Sequence, residues 1–427
     1  MPFGLGLLFG ALCLAAPAPA EERKVEALVV GGLVRQLDSD APEERDQAEE
    51  SLEKLGPDAL AFIPDLDSDR ISAEQRRRLR RLLPKLWQAR LHAQVQGSVV
   101  TLDNPSIPLD ELLATIQKQT GNQVTDLRRQ FNQEPANPTI KLSAPSLRFW
   151  EALDQVTAQS GLGYYFFTDD RSIGLTGTAL LRPPTAYAGA FRATVQRLDL
   201  DRDYTGEIPM PVCSTRLEIL VEPRLQPIML EVRTADVSIK DDLGNSLAVM
   251  GPKEFSLSIE AGVYHFPLLL RTPAPPRAAK TIAELKGELG VWLPANVEEF
   301  AFGDLGVGRQ SGQSKSGLKV DVGPIGVEDG VWTVPVETAV LTENRPVDSH
   351  LQAALEPTIY LRHKGDKIRF EQNGGLSTIF EEPQRSKVEY LFVDAPGAVG
   401  DYEVVVRLPV GLTRTPVKFE FKDLELP

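Results

Sequence analysis

Hydrophobic residues recur at helical spacing over the first quarter of the chain. From Lys24 to Val95, leucines and other apolar residues lie three and four positions apart, which is the spacing of one face of an α-helix. Gly56-Pro57 is typical of a helix end, and Ile71-Ser72-Ala73-Glu74 is typical of a helix start. The pattern predicts packed helices over residues 21–95.

The periodicity changes after Val95. Short apolar runs predict strands, and two amphipathic stretches predict helices, the first from Leu109 to Gly121 and the second from a cap at Ser146 to Gly161. The predicted strands are 98–102, 139–142, 164–167 and 172–175, the last two forming a hairpin. This order predicts a small βαβ-βαββ domain over residues 96–180.

Beyond Arg182-Pro183-Pro184, polar and apolar residues alternate as in strands that expose one face to water. Clear examples are 255–260, 402–407 and 417–422. We predict two antiparallel β-sandwich domains of immunoglobulin-like architecture. They cover 186–305 and 318–427, separated by the Gly- and Ser-rich stretch 306–317, with 272–276 as an alternative boundary. The predicted fold class is therefore multidomain α+β.

Two segments resemble known families. Leu33-Val34-x-x-Leu37, followed by Arg45-x-x-Ala48-x-x-x-Leu52 and by Arg76-Arg77-Arg78-Leu79, resembles a HEAT-like helical repeat over residues 24–95. Ile107–Leu113, Gln119-Thr120-Gly121 and Trp150–Asp154, continuing to Tyr165, resemble the short N-terminal domain of secretins and TonB-dependent receptors over residues 98–177. The second resemblance implies a periplasmic interaction module without chemistry. The residues after Gly177 show neither a secretin body nor a receptor-sized barrel.

Residues 1–20 predict a cleavable secretory signal. The run from Phe3 to Ala16 is apolar and uncharged, and Ala18-Pro19-Ala20 suits cleavage before Glu21. As a helix the run would be roughly 21 Å long, against about 30 Å of membrane hydrocarbon, so a signal is favoured over a retained membrane tether. We expect an extracytoplasmic protein in the periplasm, in the cell envelope or secreted, with no transmembrane span after signal removal.

Removal of the signal changes the cysteine count. Cys13 lies inside the signal, which leaves Cys213 as the one cysteine of the mature chain. An intramolecular disulfide is then impossible. We expect Cys213 to be a small buried residue, the alternative being a reactive or intermolecular thiol.

The charge balance bears on the partners. The chain has 427 residues and a formal net charge of -14, which argues against nucleic acid or anionic lipid because both would be repelled. One basic cluster stands out, with five arginines between Arg76 and Arg81. It is either an anion or phosphate site or a solvated helix face whose arginines pair with nearby acids such as Asp65, Asp67 and Asp69. Arg77 and Arg81 are the interaction candidates in this cluster.

An aromatic run provides a second candidate surface. In Tyr164-Tyr165-Phe166-Phe167, strand alternation puts Tyr165 and Phe167 on one face and Tyr164 and Phe166 on the other. Tyr165 and Phe167 could form an exposed binding patch. The alternative is that both faces are covered by neighbouring elements.

Asp199, Asp201 and Asp203 form a calcium candidate. They have the spacing of the first three oxygen ligands of a calcium loop, but Tyr204 and Met210 occupy positions where that loop has glycine and glutamate. The alternative is a solvated turn. No other metal or cofactor is predicted.

Catalytic motifs are weak throughout the sequence. The four histidines are scattered, and none has a second ligand type at metal-binding spacing. Ser314 lies one glycine short of a Gly-x-Ser-x-Gly elbow, and we assign it to a loop. We therefore predict no catalytic residues.

The leading functional hypothesis is an exported, non-catalytic scaffold or adaptor that binds envelope or secreted proteins. The alternative is a secreted carbohydrate-binding protein or hydrolase with a site on the sandwich loops, which the fold class permits without establishing.

Overall fold

A computed structural model provides the structure of the chain. It describes residues 20–64, 66, 68–104, 106–166, 172–177, 182–204, 210–259, 263–303, 305, 309–341, 357–382 and 384–427. Side chains are not described for residues 20–26 and Asp203. The predicted signal, apart from residue 20, and Phe167 lie outside the described residues. Two compact units are present, one of residues up to Pro64 with Arg70–Leu86, and one of Asp65–Asp69 with Trp87–Pro427.

The first unit, here called the helical unit, is built from three α-helices around a leucine core. The helices are α1 Ala20–Gln36, α2 Pro42–Leu55 and α3 Ala73–Val95, the last of which continues into the second unit at Trp87. Leu37, Leu52, Leu79 and Leu82 are fully buried. As predicted, α2 ends before Gly56, whose φ of 69° favours glycine. No helix in the described ranges has the length and apolar composition needed to span a bilayer.

The second unit begins with an α/β region at residues 98–177. Its elements are β1 Val99–Thr101, β2 Ser106–Pro108, α4 Leu109–Thr120, β3 Val124–Asp126, β4 Thr139–Lys141, β5 Ser146–Arg148, α5 Phe149–Ser160, β6 Gly163–Tyr165 and β7 Ile173–Thr176. The predicted hairpin is confirmed as the antiparallel pair β6–β7, and β3 adds to it in parallel. The predicted cap at Ser146 is wrong, because Ser146 pairs with Thr101 in a β-ladder and α5 begins at Phe149.

The rest of the described chain is almost entirely antiparallel strand. The strands are β8 Thr185–Ala188, β9 Phe191–Asp203, β10 Met210–Val221, β11 Met229–Asp241, β12 Glu254–Ser258, β13 His265–Pro273, β14 Thr281–Leu293, β15 Asn296–Phe302, β16 Ser311–Lys315, β17 Leu318–Val322, β18 Gly326–Glu328, β19 Val331–Val340, β20 Thr358–His363, β21 Arg369–Glu371, β22 Leu376–Glu382, β23 Arg385–Val393, β24 Tyr402–Val410 and β25 Thr413–Glu425. With five α-helices among the described elements, the chain is a mostly β, multidomain α+β protein.

The strands form two β regions. In the first β region the sheet orders are β13-β10-β9-β8 and β12-β11-β14-β25. In the second β region they are β15-β24-β20-β21 and β16-β17-β19-β23-β22, with β18 beside β19. The chain therefore leaves the first β region after β14, builds the second, and returns through β25.

This topology divides the chain differently from the predicted ranges 186–305 and 318–427. Thr413–Glu425 pairs with β14 along the strand from Thr281 to Leu293, so the last strand belongs to the first β region. The predicted linker contains β16, which forms a hairpin with β17 across Ser316 and Gly317. Both residues have positive φ, 55° and 77°, as a tight two-residue hairpin turn requires. Ser314 accordingly lies on a strand and not in the predicted loop.

Two hydrophobic cores lie within the second unit. One runs without interruption from the α/β region into the first β region and includes Trp150, Phe191, Leu230 and Phe421. The other fills the second β region and includes Phe300 and Phe392. Cys213, on β10, is 2% exposed, which confirms the expected burial, and burial raises the pKa of its thiol.

Two glycines bring the end of α3 close to the β8–β9 turn. Gly189 has φ 61°, and a Cβ there would lie 2.1 Å from the carbonyl oxygen of Val95. A Cβ on Gly97 would lie 2.6 Å from the carbonyl oxygen of Gly189. This approach requires glycine on both sides, and it lets the Ala190 amide donate to the Val95 carbonyl at 2.9 Å.

Candidate interaction surface

The N-terminal half of α3 carries most of the arginine cluster. Ser72 and Gln75 form a reciprocal cap, in which the Gln75 amide donates to Ser72 Oγ at 3.1 Å and the Ser72 amide donates to Gln75 Oε1 at 2.7 Å. Leu79, Leu82 and Leu86 then point into the core of the helical unit. Because these leucines fix the rotation of the helix, the positions on the opposite side of α3 face outward.

A polar seam joins α2 to α3. Arg78, 9% exposed at its side chain, donates to Asp46, Glu49 and Glu74, each at 2.8 Å. Arg81 Nε donates to Glu49 Oε1 at 2.9 Å, and the Lys85 ammonium group lies 2.7 Å from the Glu53 carboxylate. Residues later in α3 pair with acids later in α2. The two helices therefore run in the same direction.

Four arginines remain on the outer face of α3. Arg76, Arg77, Arg80 and Arg81, together with Ala73, line an open depression, and we call the four side chains the arginine face. The side chain of Arg77 is 74% exposed and that of Arg81 is 65% exposed. Arg80 is exposed and forms no ion pair or hydrogen bond with any described residue. A guanidinium in this setting can bind a carboxylate or phosphate through two parallel hydrogen bonds.

Glu74, beside the arginine face, is held in its charged form. Hydrogen bonds from Arg78 and then from Arg77 lower the pKa of Glu74. The hydrogen bond to Glu49 raises the pKa of Arg81. Three carboxylates, those of Asp46, Glu49 and Glu74, are shared by four guanidinium groups, those of Arg45, Arg77, Arg78 and Arg81. In these pairs the guanidinium groups outnumber the carboxylates by one.

The structure brings the two arginine candidates of the sequence together. Arg77 and Arg81 lie one turn apart on the same face of α3. Their ion-pair partners are Glu74 and Glu49, whereas Asp65 and Asp67, two of the acids expected from sequence, lie outside the described residues. Sequence reasoning did not single out Arg76 and Arg80. The available signal was the four-residue spacing of Arg76 and Arg80, which is the same as that of Arg77 and Arg81.

The aromatic candidates divide between the two faces of β6. Tyr165 is half-buried and makes an edge contact with Phe131 at 5.1 Å between ring centroids, and Phe131 is 44% exposed. Phe167 lies outside the described residues. On the opposite face, Tyr164 packs against Trp150, and Phe166 stacks on His265 at 4.9 Å between ring centroids. Neighbouring elements thus cover the Tyr164 face, and Tyr165 has an aromatic neighbour that the sequence did not reveal.

The three aspartates of the calcium candidate lie on a strand and not in a loop. Asp199, Asp201 and Asp203 lie on the long strand β9, where successive residues on one face are about 6.6 Å apart and cannot wrap around an ion as a loop does. Asp199 Oδ1 instead accepts a hydrogen bond from Arg197 Nε at 2.7 Å. Among the residues that the structure describes, no three His, Cys, Asp or Glu side chains are grouped to hold a metal ion.

A buried carboxylate ties the α/β region to the first β region. Glu222, which follows β10, is 0% exposed and accepts hydrogen bonds from the Ser98 amide at 2.8 Å, from Ser98 Oγ at 2.6 Å and from Asn122 Nδ2 at 3.0 Å. Arg224 Nε donates to Glu222 Oε2 at 2.5 Å, and Arg224 Nη2 donates to the Gln94 carbonyl at 2.6 Å. We call this set the Glu222 network.

A second carboxylate joins α5 to β8 and β9. Asp154 accepts hydrogen bonds from the hydroxyls of Tyr164 and Tyr187 and from Arg192 Nε, the last at 2.9 Å. Burial, followed by the Asp154 carboxylate, raises the pKa of both tyrosines. Sequence reasoning missed both networks, because their members are far apart along the chain.

Comparisons with known proteins assign neither a family nor a function to this chain. No family model matches the chain, and no curated protein matches it. Among solved structures, the crystal structure of the conserved domain protein from Bacillus anthracis matches with 10% identity over 56% of this chain and 89% of that chain, at a TM-score of 0.19. A TM-score of this size carries no argument about fold or function.

Proposed function

We propose that this protein is an exported, non-catalytic adaptor that binds other envelope or secreted proteins and acts outside the cytoplasm. The observation that carries the proposal is the arginine face, a depression lined by four arginines on a chain whose net charge is -14. A positive surface on an acidic protein selects for a complementary partner and steers its approach.

The domain assignments belong to the same proposal. Export rests on the signal-like pattern of residues 1–20. The HEAT-like assignment of 24–95 is supported by three helices packed on a leucine core. The similarity of 98–177 to the secretin and TonB-receptor domain is supported by two twelve-residue helices, α4 and α5, each preceded by a short strand and closed by a left-handed glycine.

The β regions are proposed to be sandwiches of the immunoglobulin-like kind. Support comes from the pairing of sheets around shared cores, since strands from both sheets of each β region contribute to one hydrophobic cluster.

The polar clusters of the second unit favour a structural role over a catalytic one. The Glu222 and Asp154 carboxylates each accept several hydrogen bonds from residues of different elements. Groups engaged in this way hold elements together, which is the usual purpose of buried polar networks.

Mild crosslinking in the native envelope, followed by purification and mass spectrometry, tests the adaptor function. We expect the wild-type chain to be recovered with a defined set of proteins, and with an amino terminus near Glu21. Recovery of a monomer without crosslinked partners, or of a cytoplasmic chain that retains Met1, would contradict the proposal.

A further inference from the structure

We propose that the arginine face binds an acidic peptide segment of the partner protein, through carboxylates spaced one helical turn apart. This inference rests on the adaptor function proposed above and specifies the chemistry of the partner.

The spacing of the guanidinium groups defines the expected ligand. Arg76 and Arg80 form one row along α3, and Arg77 and Arg81 form a second row beside it. Residues four apart on a helix are separated by about 6 Å along its axis. Carboxylates four residues apart on an acidic helix have the same separation, so two such carboxylates can each meet one arginine of the same row.

The positive charge of the arginine face suits a ligand that carries only a few negative charges. Arg77 and Arg81 already share Glu74 and Glu49 with Arg78, whereas Arg80 has no ion-pair partner in the described part of the chain. The exposed guanidinium groups can reorient toward an incoming carboxylate without breaking the buried Arg78 contacts. A short segment with more than one carboxylate can pair with these exposed guanidinium groups.

The surroundings favour a peptide over a phosphate or a polyanionic surface. Phosphate sites at helix ends use free backbone amides, but at the start of α3 the Gln75 amide is bonded to Ser72 Oγ and the Ser72 amide to Gln75 Oε1. An extended polyanion or an anionic membrane would contact a large area of the protein. It would therefore be repelled by the net charge of -14. A short acidic segment contacts only the arginine face.

The experiment measures binding of a labelled peptide to the full mature chain by fluorescence anisotropy. The peptide carries glutamates four residues apart, and its control carries glutamine at the same positions. The double variant Arg77→Glu with Arg80→Glu reverses two charges in the face, and Arg277→Glu with Arg309→Glu makes the same change in charge at exposed positions elsewhere. At roughly 0.15 M ionic strength, we expect the face variant to weaken binding about tenfold or more and the control variant to bind like wild type.

Other outcomes would overturn the inference. They are equal binding of the glutamine peptide, equal loss in both double variants, or binding of inorganic phosphate or phosphatidylglycerol vesicles to the arginine face in place of the peptide. If the face variant does not fold, as judged by circular dichroism, Arg77→Gln with Arg80→Gln provides the same test without charge reversal.

A competition arm separates this inference from the adaptor function. If wild type recovers envelope partners that the acidic peptide does not displace, the inference fails and the adaptor function stands. If the peptide binds the face but no partner is recovered, the adaptor function fails and the chemistry of the face stands.

Discussion

The Glu222 network and the arginine face are built from the same kinds of side chain and differ in burial. In the Glu222 network the carboxylate is fully buried, and its donors come from three separate parts of the second unit. In the arginine face the guanidinium groups lie on one helix and are mostly exposed. A buried ion pair that loses one partner leaves an uncompensated charge, whereas an exposed one exchanges its partner for water. Burial therefore decides which cluster holds the fold and which can bind a ligand.

The same contrast exists within α3. Arg78 points toward α2 and binds three carboxylates, while Arg80, two residues later, points away and binds none in the described part of the chain. Two residues on a helix are separated by about 200° of rotation, so neighbouring arginines have opposite surroundings. Residue type alone does not distinguish them.

Removal of the Glu222 carboxylate should have the largest effect. Glu222→Ala leaves Arg224 and the Ser98 amide without their buried acceptor, and we expect a loss of about 3–5 kcal/mol in the unfolding free energy of the core shared by the α/β and first β regions. Hydrogen exchange of α4 and β10 amides should accelerate together. Glu420→Ala, on an exposed position of β25, serves as the control and should leave exchange unchanged. If hydrogen exchange is unchanged in Glu222→Ala, burial does not distinguish the Glu222 network from the arginine face.

Tyr187 should give an intermediate effect, because its hydroxyl binds Asp154 while its side chain remains partly exposed. Tyr187→Phe removes one hydrogen bond to a carboxylate, at a cost of about 1 kcal/mol. Burial and the Asp154 carboxylate raise the pKa of Tyr187 in the folded state. The unfolded state therefore releases this proton first, and the contribution of Tyr187 is lost as the pH rises above about 10.

Urea unfolding at roughly pH 8 and pH 11 tests this prediction. Wild type should lose more stability between the two values than Tyr187→Phe does. Equal losses in both proteins would show that Tyr187 makes no contribution to the alkaline sensitivity.

The smallest effect on stability is expected at Arg80. Because Arg80 has no ion-pair partner among the described residues, Arg80→Ala should change the unfolding free energy by no more than about 0.5 kcal/mol. Thermal unfolding of the full chain measures this change. A loss as large as that of Glu222→Ala would mean that the arginine face stabilises the fold and is not available for binding.

Local pattern was sufficient for many elements. The leucine spacing of α3, the glycines that close α4 and α5, and the alternation of β24 and β25 all predicted elements that the structure contains. Predictions were wrong where a residue type is common in two kinds of local structure. Ser146 suits a helix cap but pairs in a ladder with Thr101, and the glycine and serine of 311–317 suit a linker but form a hairpin.

The candidate surface was predictable in part. The density of arginines in α3 was visible, but the choice of acids was not, because Glu49 and Asp46 lie about thirty residues away on α2. The aromatic contact of Tyr165 with Phe131 also joins residues from different elements. Pairings of this kind depend on how helices and strands pack, which no local spacing encodes.

By itself the sequence determined whether each segment is helical, mixed or rich in strands, and it also determined the burial of Cys213 and the position of the basic cluster. These properties follow from periodicity and composition over a few turns or strands. Only the tertiary structure decided that β25 returns to the sheet of β14, that Glu222 meets Ser98 and Asn122, and which arginines remain outward. The physical reason is that strand pairing and buried hydrogen bonds join residues a hundred or more positions apart. Their energies depend on burial, which exists only once the chain has folded.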